Sequence, residues 1–238
     1  MSGNIPKDYP LADYDAHARN VPVDAYWTQV RRTINGEPIS EAQIAMIVGA
    51  ITSGLSLKQN DRVIDLACGN GYLSSYLFDK CAGVVGVDVS PYLIEVAQKN
   101  FARPPDYSFC VNDMASYAAR DSDAARFTKA LIYASFQYLS KDDAASVLES
   151  LKNRFTSVSK VFVGNVPNKD EAARFYRERA PSVAELSDHE ARIGTWYSPD
   201  EFRFLSEATG WRATLSTMPA EFYAAAYRFD ATLERFDR

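Results

Sequence analysis

Cysteine and histidine are scarce in this chain of 238 residues, which holds three of the first and two of the second, and long apolar runs are missing. No stretch approaches the roughly 18 consecutive apolar residues of a membrane-spanning helix. Cys68, Cys81 and Cys110 are odd in number and scattered outside any metal-ligand spacing. They read as small apolar fillers in a reducing compartment, and no metal site is expected. Positive charge is not in excess either: 26 Lys and Arg stand against 31 Asp and Glu, a formal net charge of −5. That balance supplies no general attraction to nucleic acid or to an anionic membrane, so large polyanionic partners are disfavoured. Internal repeats, heptads and low-complexity segments are absent. The polar, proline-containing start MSGNIPKDYP lacks the character of a secretory leader, and a cytoplasmic location is the expectation. The length allows one sizeable core and favours a single α/β domain.

What the chain does carry is the stretch Arg62 to Ser74, RVIDLACGNGYLS. Val63, Ile64 and Leu66 form an apolar run suited to a buried parallel strand. Gly69 and Gly71 supply a tight turn, and a helix begins near Tyr72. Glycine is needed where the backbone turns sharply or approaches a ligand closely. A second apolar strand, Val84 to Ser90, ends at Asp88, one βαβ unit beyond Asp65, where a carboxylate can take both hydroxyls of a ribose. Dinucleotide-binding folds share this pair, but they want a third glycine where this chain has Ser74. An acid at Asp65 would also repel a pyrophosphate, whereas it suits the cationic methionine end of S-adenosylmethionine (SAM), met directly or through water.

At these residues the sequence resembles the class I SAM-dependent methyltransferase family, whose first motif runs acid-x-Gly-x-Gly-x-Gly. DLACGNG departs from it in placing Ala67 at the first glycine. The resemblance covers about Ile44 to Phe229, and its specific part is the first two motifs. It implies that Tyr14, Asp65, Ala67, Gly69, Asn70, Gly71, Asp88, Val89, Asp113, Met114 and Tyr133 contact the cofactor. Asp113 would receive the adenine amino group and Met114 would lie against the ring; capping of the next helix is the competing reading of Asp113. Tyr14-Asp15 matches a Tyr-Asp pair that closes over the SAM site in similar proteins. Tyr133-Ala134-Ser135-Phe136 stands where enzymes acting on adenine or glutamine carry an Asn- or Asp-Pro-Pro-aromatic sequence, and no metal-binding acids are present there.

Taken in order, residues 1–39 are a cap segment too aromatic for disorder, residues 40–165 the SAM-binding core, 166–197 a substrate lid, and 198–238 a C-terminal helix with two strands. Ser40 with Gln43 opens a helix that Gly54 ends. Ser90-Pro91 opens another, Ser140 with Asp143 a third, and Ser198-Pro199-Asp200-Glu201 a fourth that Gly210 stops. The last two strands are expected at Trp211 to Thr217 and Phe222 to Phe229, the final one reversed at the sheet edge. The fold expected is a doubly wound, mostly parallel sheet with an antiparallel last strand, an N-terminal helical and aromatic segment, and a lid insertion before the last two strands.

These features point to SAM-dependent methyl transfer onto the oxygen or nitrogen of a small molecule, such as a metabolite, sugar or sugar-nucleotide, with S-adenosylhomocysteine (SAH) as product. An RNA or protein methyltransferase, a SAM-binding protein without catalysis and a nicotinamide oxidoreductase are the alternatives, and a homodimer is open. Histidine suits proton removal near neutral pH. His189, in the lid within SDHEARIGTWY, is the expected base, with His17, Tyr133 and Tyr197 next in line. Trp27, Arg174, Trp196 and Tyr197 are the expected substrate contacts. Arg174, Arg177 and Arg179 could meet an anion, although the interspersed Glu171, Glu178 and Glu185 favour a solvated helix face.

Overall fold

The computed structural model describes residues 11–176 and 180–236. α1 (Leu11–Arg19) and α2 (Tyr26–Gln29) lead into a hairpin of β1 (Thr33–Ile34) and β2 (Glu37–Pro38). α3 (Glu41–Leu55) begins where the Ser40 side chain accepts the Gln43 amide, and it buries Ile44, Ile47, Ile51 and Leu55 along one stripe. Its end differs from the sequence expectation. The helix runs through Gly54 and closes at Ser56, in the left-handed region at φ 48. Gly54 serves packing instead: a Cβ there would run into the Phe162 ring and lie 2.8 Å from Thr232 Oγ1.

The remaining elements alternate as the apolar runs require. β3 (Arg62–Leu66) is followed by α4 (Tyr72–Ser75), β4 (Gly83–Asp88) by α5 (Pro91–Asn100), and β5 (Tyr107–Val111) by α6 (Met114–Arg120). β6 (Lys129–Tyr133) leads to α7 (Lys141–Asn153), and β7 (Lys160–Pro167) to α8 (Ala172–Phe175) and α9 (Val183–Ser187). α10 (Pro199–Ala208), β8 (Trp211–Ser216) and β9 (Arg228–Arg235) complete the chain. The seven long strands form one sheet in the order β5-β4-β3-β6-β7-β9-β8. β3 to β7 pair in parallel, and β9 is antiparallel to both its neighbours. Alternate strand residues feed two cores, Ile64 and Ile132 on the face with α7 and α10, Val63 and Leu131 on the face with α3. Such burial on both faces explains why the strands read as continuous apolar runs.

Two expectations about the end of the sheet are corrected. The last strand begins six residues later than Phe222, at Arg228, and it lies inside the sheet, with β8 at the edge. Phe222 and Ala224 alternate like a strand, but they plug the core beside α3, and Gln43 takes up the backbone of their loop. Its Nε2 donates to Glu221 O at 2.8 Å, and its Oε1 accepts from Tyr223 N at 2.9 Å. The Gln43 side chain is therefore spent on this loop, so the capping box expected with Ser40 is only half made. Ser198 and Glu201 make the full reciprocal box. Among the described residues no helix is long and apolar enough to cross a membrane.

Two glycines of α3 should respond oppositely to alanine. Gly49 faces open space, so Gly49→Ala should stabilise by about 0.5 to 1 kcal/mol through helix propensity. Gly54→Ala forces the Phe162 ring to move and should destabilise by about 1 to 2 kcal/mol despite the same gain. Urea denaturation midpoints check the pair, and a rise for both variants would refute the packing role of Gly54.

Candidate active site

The carboxyl edge of the parallel strands is shaped by backbone in the left-handed region at residues that are not glycine. Ala67 (φ 73) follows β3, Ala134 (φ 59) follows β6, and Asn165 (φ 62) sits in a bulge of β7 between Val163 and Val166. Each such residue costs roughly 1 kcal/mol or more, which tertiary contacts must offset. At Ala67 they are visible: the amides of Ala67 and Cys68 both donate to Val87 O, at 2.7 and 3.0 Å. Gly69 (φ 59) and Gly71 (φ 72) continue the turn. A Cβ at Gly69 would lie 2.9 Å from Val30 Cγ1, and one at Gly71 would lie 2.7 Å from the Phe109 ring. The motif glycines therefore make room for the protein's own side chains as well as for the turn.

Asp88 closes this arrangement. Its Oδ2 accepts from Gly69 N at 2.8 Å and its Oδ1 from Ser90 N at 2.9 Å, so each oxygen keeps a further lone pair. Burial pushes its carboxyl up, and the amides of Ser90, Gly69 and Val89 pull it back. Asp88 lines a cavity of about 700 Å³ at the strand ends, together with Ala67, Gly69, Asn70, Val89 and Met114. A carboxylate with spare acceptor capacity beside the apolar Val89, Leu93 and Met114 fits a ribose and an adenine ring.

The N-terminal segment forms one wall. Tyr14 OH is 3.3 Å from Tyr138 OH, and Asp15 Oδ1 accepts from Ser90 Oγ and from Tyr92 N, at 2.5 and 3.2 Å. Asp15 thereby caps the first turn of α5, where a carboxylate is favoured by the helix dipole. His17 Nε2 donates to Thr28 O at 2.8 Å and ties α1 to α2, just before the turn that carries Arg31. Asn70 Nδ2 reaches Tyr26 O and Gln29 Oε1, at 2.8 and 2.9 Å, which ties the glycine turn to α2. Trp27 lines the cavity and packs on Tyr72 with ring centroids 4.7 Å apart.

Other expected site residues lie elsewhere. Asp65 is buried beneath the turn, outside the cavity wall, with Ser74 Oγ donating to Oδ2 at 2.6 Å. Burial raises its pKa to about 6, against the pull of Ser74 and of Arg32. Gly71 is also behind the wall. Asp113 caps α6 by accepting Ser116 N at 2.7 Å, and Asn112 and Met114 on either side of it face the cavity instead. Arg174 pairs with Glu171 in solvent, the solvated-face reading. Trp196 is buried behind Phe175 and Tyr227, at centroid distances of 5.7 and 6.2 Å. Tyr197 belongs to the core, between Phe136 and Phe202. His189 is half-buried away from the cavity, and His17 is the histidine at its wall. Arg177 and Arg179 lie outside the described residues.

Tyr133 does line the cavity, its ring under the Arg32 guanidinium at 4.6 Å and its hydroxyl without a hydrogen-bond partner among the described residues. Burial raises its pKa, so it is a proton donor rather than a base. Residues the sequence reading passed over complete the wall: Asn112, Asn165, Tyr223, Tyr227 and Arg228. Asp230 stands behind Asn165, accepting its amide at 2.7 Å through Oδ1, with Oδ2 unpartnered and burial raising its pKa to about 6.

A parallel sheet whose one reversed strand is inserted next to the last position, with a glycine turn after one central strand and an acid after its neighbour, is the class I SAM-dependent methyltransferase fold. Residues 63–156 match the methyltransferase domain family. Over 122 residues, half of this chain and 51% of the other, it is 32% identical to the magnesium-protoporphyrin O-methyltransferase of Rhodobacter capsulatus. The chain spans about half the length, or less, of the curated relatives it matches. Its fold is shared with the DhpI-SAM-HEP complex at 17% identity and a TM-score of 0.66, covering 98% of this chain and 100% of that one. It is shared too with the small RNA methyltransferase HEN1 at 16% identity and a TM-score of 0.61, covering 84% of this chain and 26% of that one.

The raised carboxyls of Asp65 and Asp230 set a pH dependence. Both bind a proton more tightly folded than unfolded, so the stability they contribute falls as pH rises from 3.8 towards about 6. The loss is on the order of 2 to 3 kcal/mol for each. Asp65→Asn and Asp230→Asn should each flatten this slope relative to the wild type in urea denaturation at pH 4, 5, 6 and 7; parallel curves would contradict the burial argument.

Proposed function

We propose that the protein transfers the methyl group of SAM to a small-molecule acceptor bound in this cavity. The observation that carries the reading is Asp88, which bridges two motif turns while keeping acceptor capacity towards the cavity. In this reading its carboxylate holds the ribose, Val89, Leu93 and Met114 enclose the adenine, and Asn112 meets the ring edge in place of Asp113. Arg32, close enough to Asp65 to lower its pKa, receives the cofactor's carboxylate. Asp65 acts from beneath the turn as a buried counter-charge to the methionine end.

The bound sulfonium supplies an already activated methyl group. The chain's own task is then to align the acceptor behind it and to exclude water. The wall around the acceptor is made by α1, the loop after β6 and, from the segment before α10, Phe175, Arg192 and Ile193, and these parts are stitched to one another. Tyr138 OH donates to Arg192 O at 3.0 Å, and Thr195 N donates to Gln137 O at 2.8 Å. A recess walled on these sides supports a small molecule over RNA or protein as acceptor. Tyr133 donates its hydroxyl proton in a hydrogen bond to the bound acceptor or cofactor.

Two measurements test the reading. Asp88→Ala should weaken SAM binding in calorimetry by about ten- to a hundred-fold, since it removes charge-assisted hydrogen bonds. Unchanged affinity would remove the assignment. Limited proteolysis should slow within residues 14–32 when SAH is added; equal cleavage with and without it would mean that this wall does not close on the cofactor.

A further inference from the structure

A chain of net charge −5 has gathered cations around this cavity. Among the described residues that line it, Asp88 is the one acid, against Arg31, Arg32, Arg192 and Arg228. Arg32 lies over the Tyr133 ring at 4.6 Å, and Arg228 stands at the start of β9. Arg228 donates from Nη1 to Asn165 O and stacks over the Tyr227 ring at 5.4 Å, which holds its guanidinium in place with most of its donors unspent. No carboxylate among the described residues pairs with Arg228. Around it stand Tyr133 and Asn165, both more than nine-tenths buried, with Tyr133 OH and Asn165 Oδ1 unpartnered. The aromatic Tyr223, Tyr227 and Phe175 supply the rest of this wall.

The wall is also poor in groups able to remove a proton. Burial raises the phenols of Tyr14, Tyr133 and Tyr223 and the thiol of Cys68. Asp88 is engaged by two amides, and His17, whose Nε2 donates to the Thr28 carbonyl, leaves its Nδ1 as the one imidazole acceptor among the described residues of this wall. A hydroxyl or ammonium acceptor would have to lose a proton here, whereas an anionic oxygen is nucleophilic as it arrives.

We propose that the acceptor is a small acid with a planar apolar body, that Arg228 receives its anionic group, and that an oxygen of that group, carboxylate or phosphonate, is itself methylated. The oxygen lone pair forms the new O–CH3 bond as the S–CH3 bond breaks, and the latter's electron pair stays on sulfur. The acceptor's negative charge and the sulfonium's positive charge cancel, so no proton is released. Arginine suits this role because its planar fork matches both oxyanions. This rests on the methyl-transfer reading above.

The test is calorimetry on the SAH-loaded protein with phenylacetate, phenylphosphonate and the neutral phenylacetamide. At least one acid should bind about tenfold or more tightly than the amide, the expected size for a charge-assisted contact. Which acid prevails distinguishes the two oxyanions. Arg228→Gln should abolish the preference without changing SAH affinity, and Arg228→Lys should restore part of it. The proposal is overturned if acid and amide bind alike, if neither acid binds by about 10 mM, a concentration at which fragments of this size register, or if Arg228→Gln keeps the preference. Failure of SAH itself to bind would sink the methyl-transfer reading instead. With a turned-over carboxylate, a weakly buffered indicator assay should record no proton per methyl transferred; one proton per methyl would identify a hydroxyl acceptor.

Discussion

One carboxylate holds the ligand edge of this sheet together. β3 and β4 run in parallel register, so the turns that leave them emerge side by side, each with backbone amides that its own strand cannot satisfy. Asp88 takes an amide from each turn, Gly69 N and Ser90 N, and Val87 O takes two more from Ala67 and Cys68. The N-terminal helix depends on the same junction, since Asp15 binds the Ser90 hydroxyl and the Tyr92 amide. The run Asp88 to Tyr92 thus fastens α1 to the floor, beside the tie that Asn70 makes from the glycine turn to α2.

The parts legible in the sequence are those whose physics is local. An apolar run ending in an acid before glycines reads correctly as strand and turn because the glycine requirement is a property of that backbone. Ser90-Pro91 and Ser198 through Glu201 read correctly as helix starts because a cap involves residues three apart. Asp113 shows the limit of such signals: an acid before a helix looks the same whether it caps or binds, and the cap is what the structure shows, through Oδ1 and the Ser116 amide. β9 was placed too early because Phe222 and Ala224 alternate, and the competing partner of their backbone, Gln43, is remote in sequence.

The acceptor side of the cavity was the least legible. Asn165 reaches the wall because a bulge with a left-handed residue interrupts β7, and nothing in KVFVGN announces a bulge. Gly164 beside it leaves no room for a Cβ, since the Tyr133 ring occupies that space. Arg228 and Asp230 arrive from β9, the strand whose start the sequence pattern marks least well. His189 is singled out by residue type and by its place in the expected lid, and neither feature carries information about distance. The strong charge contrast is equally hidden: an acidic chain can hold a basic cavity because the arginines come from segments far apart in sequence, around Arg32, Arg192 and Arg228.

The insertion of β9 between β7 and β8 has a temporal side. Everything that frames Asp88, Val89 and Met114 lies within the first 165 residues, whereas the opposite wall waits for Arg228 and the strand that follows it. During synthesis, a chain emerging from the ribosome completes its cofactor half well before its acceptor half. β7 meanwhile has an open edge on the side that β9 will cover, and such an edge is a template for pairing with the wrong chain. The late, long-range closure of that edge makes the same strand both the last guard against misassembly and the last piece of the acceptor wall.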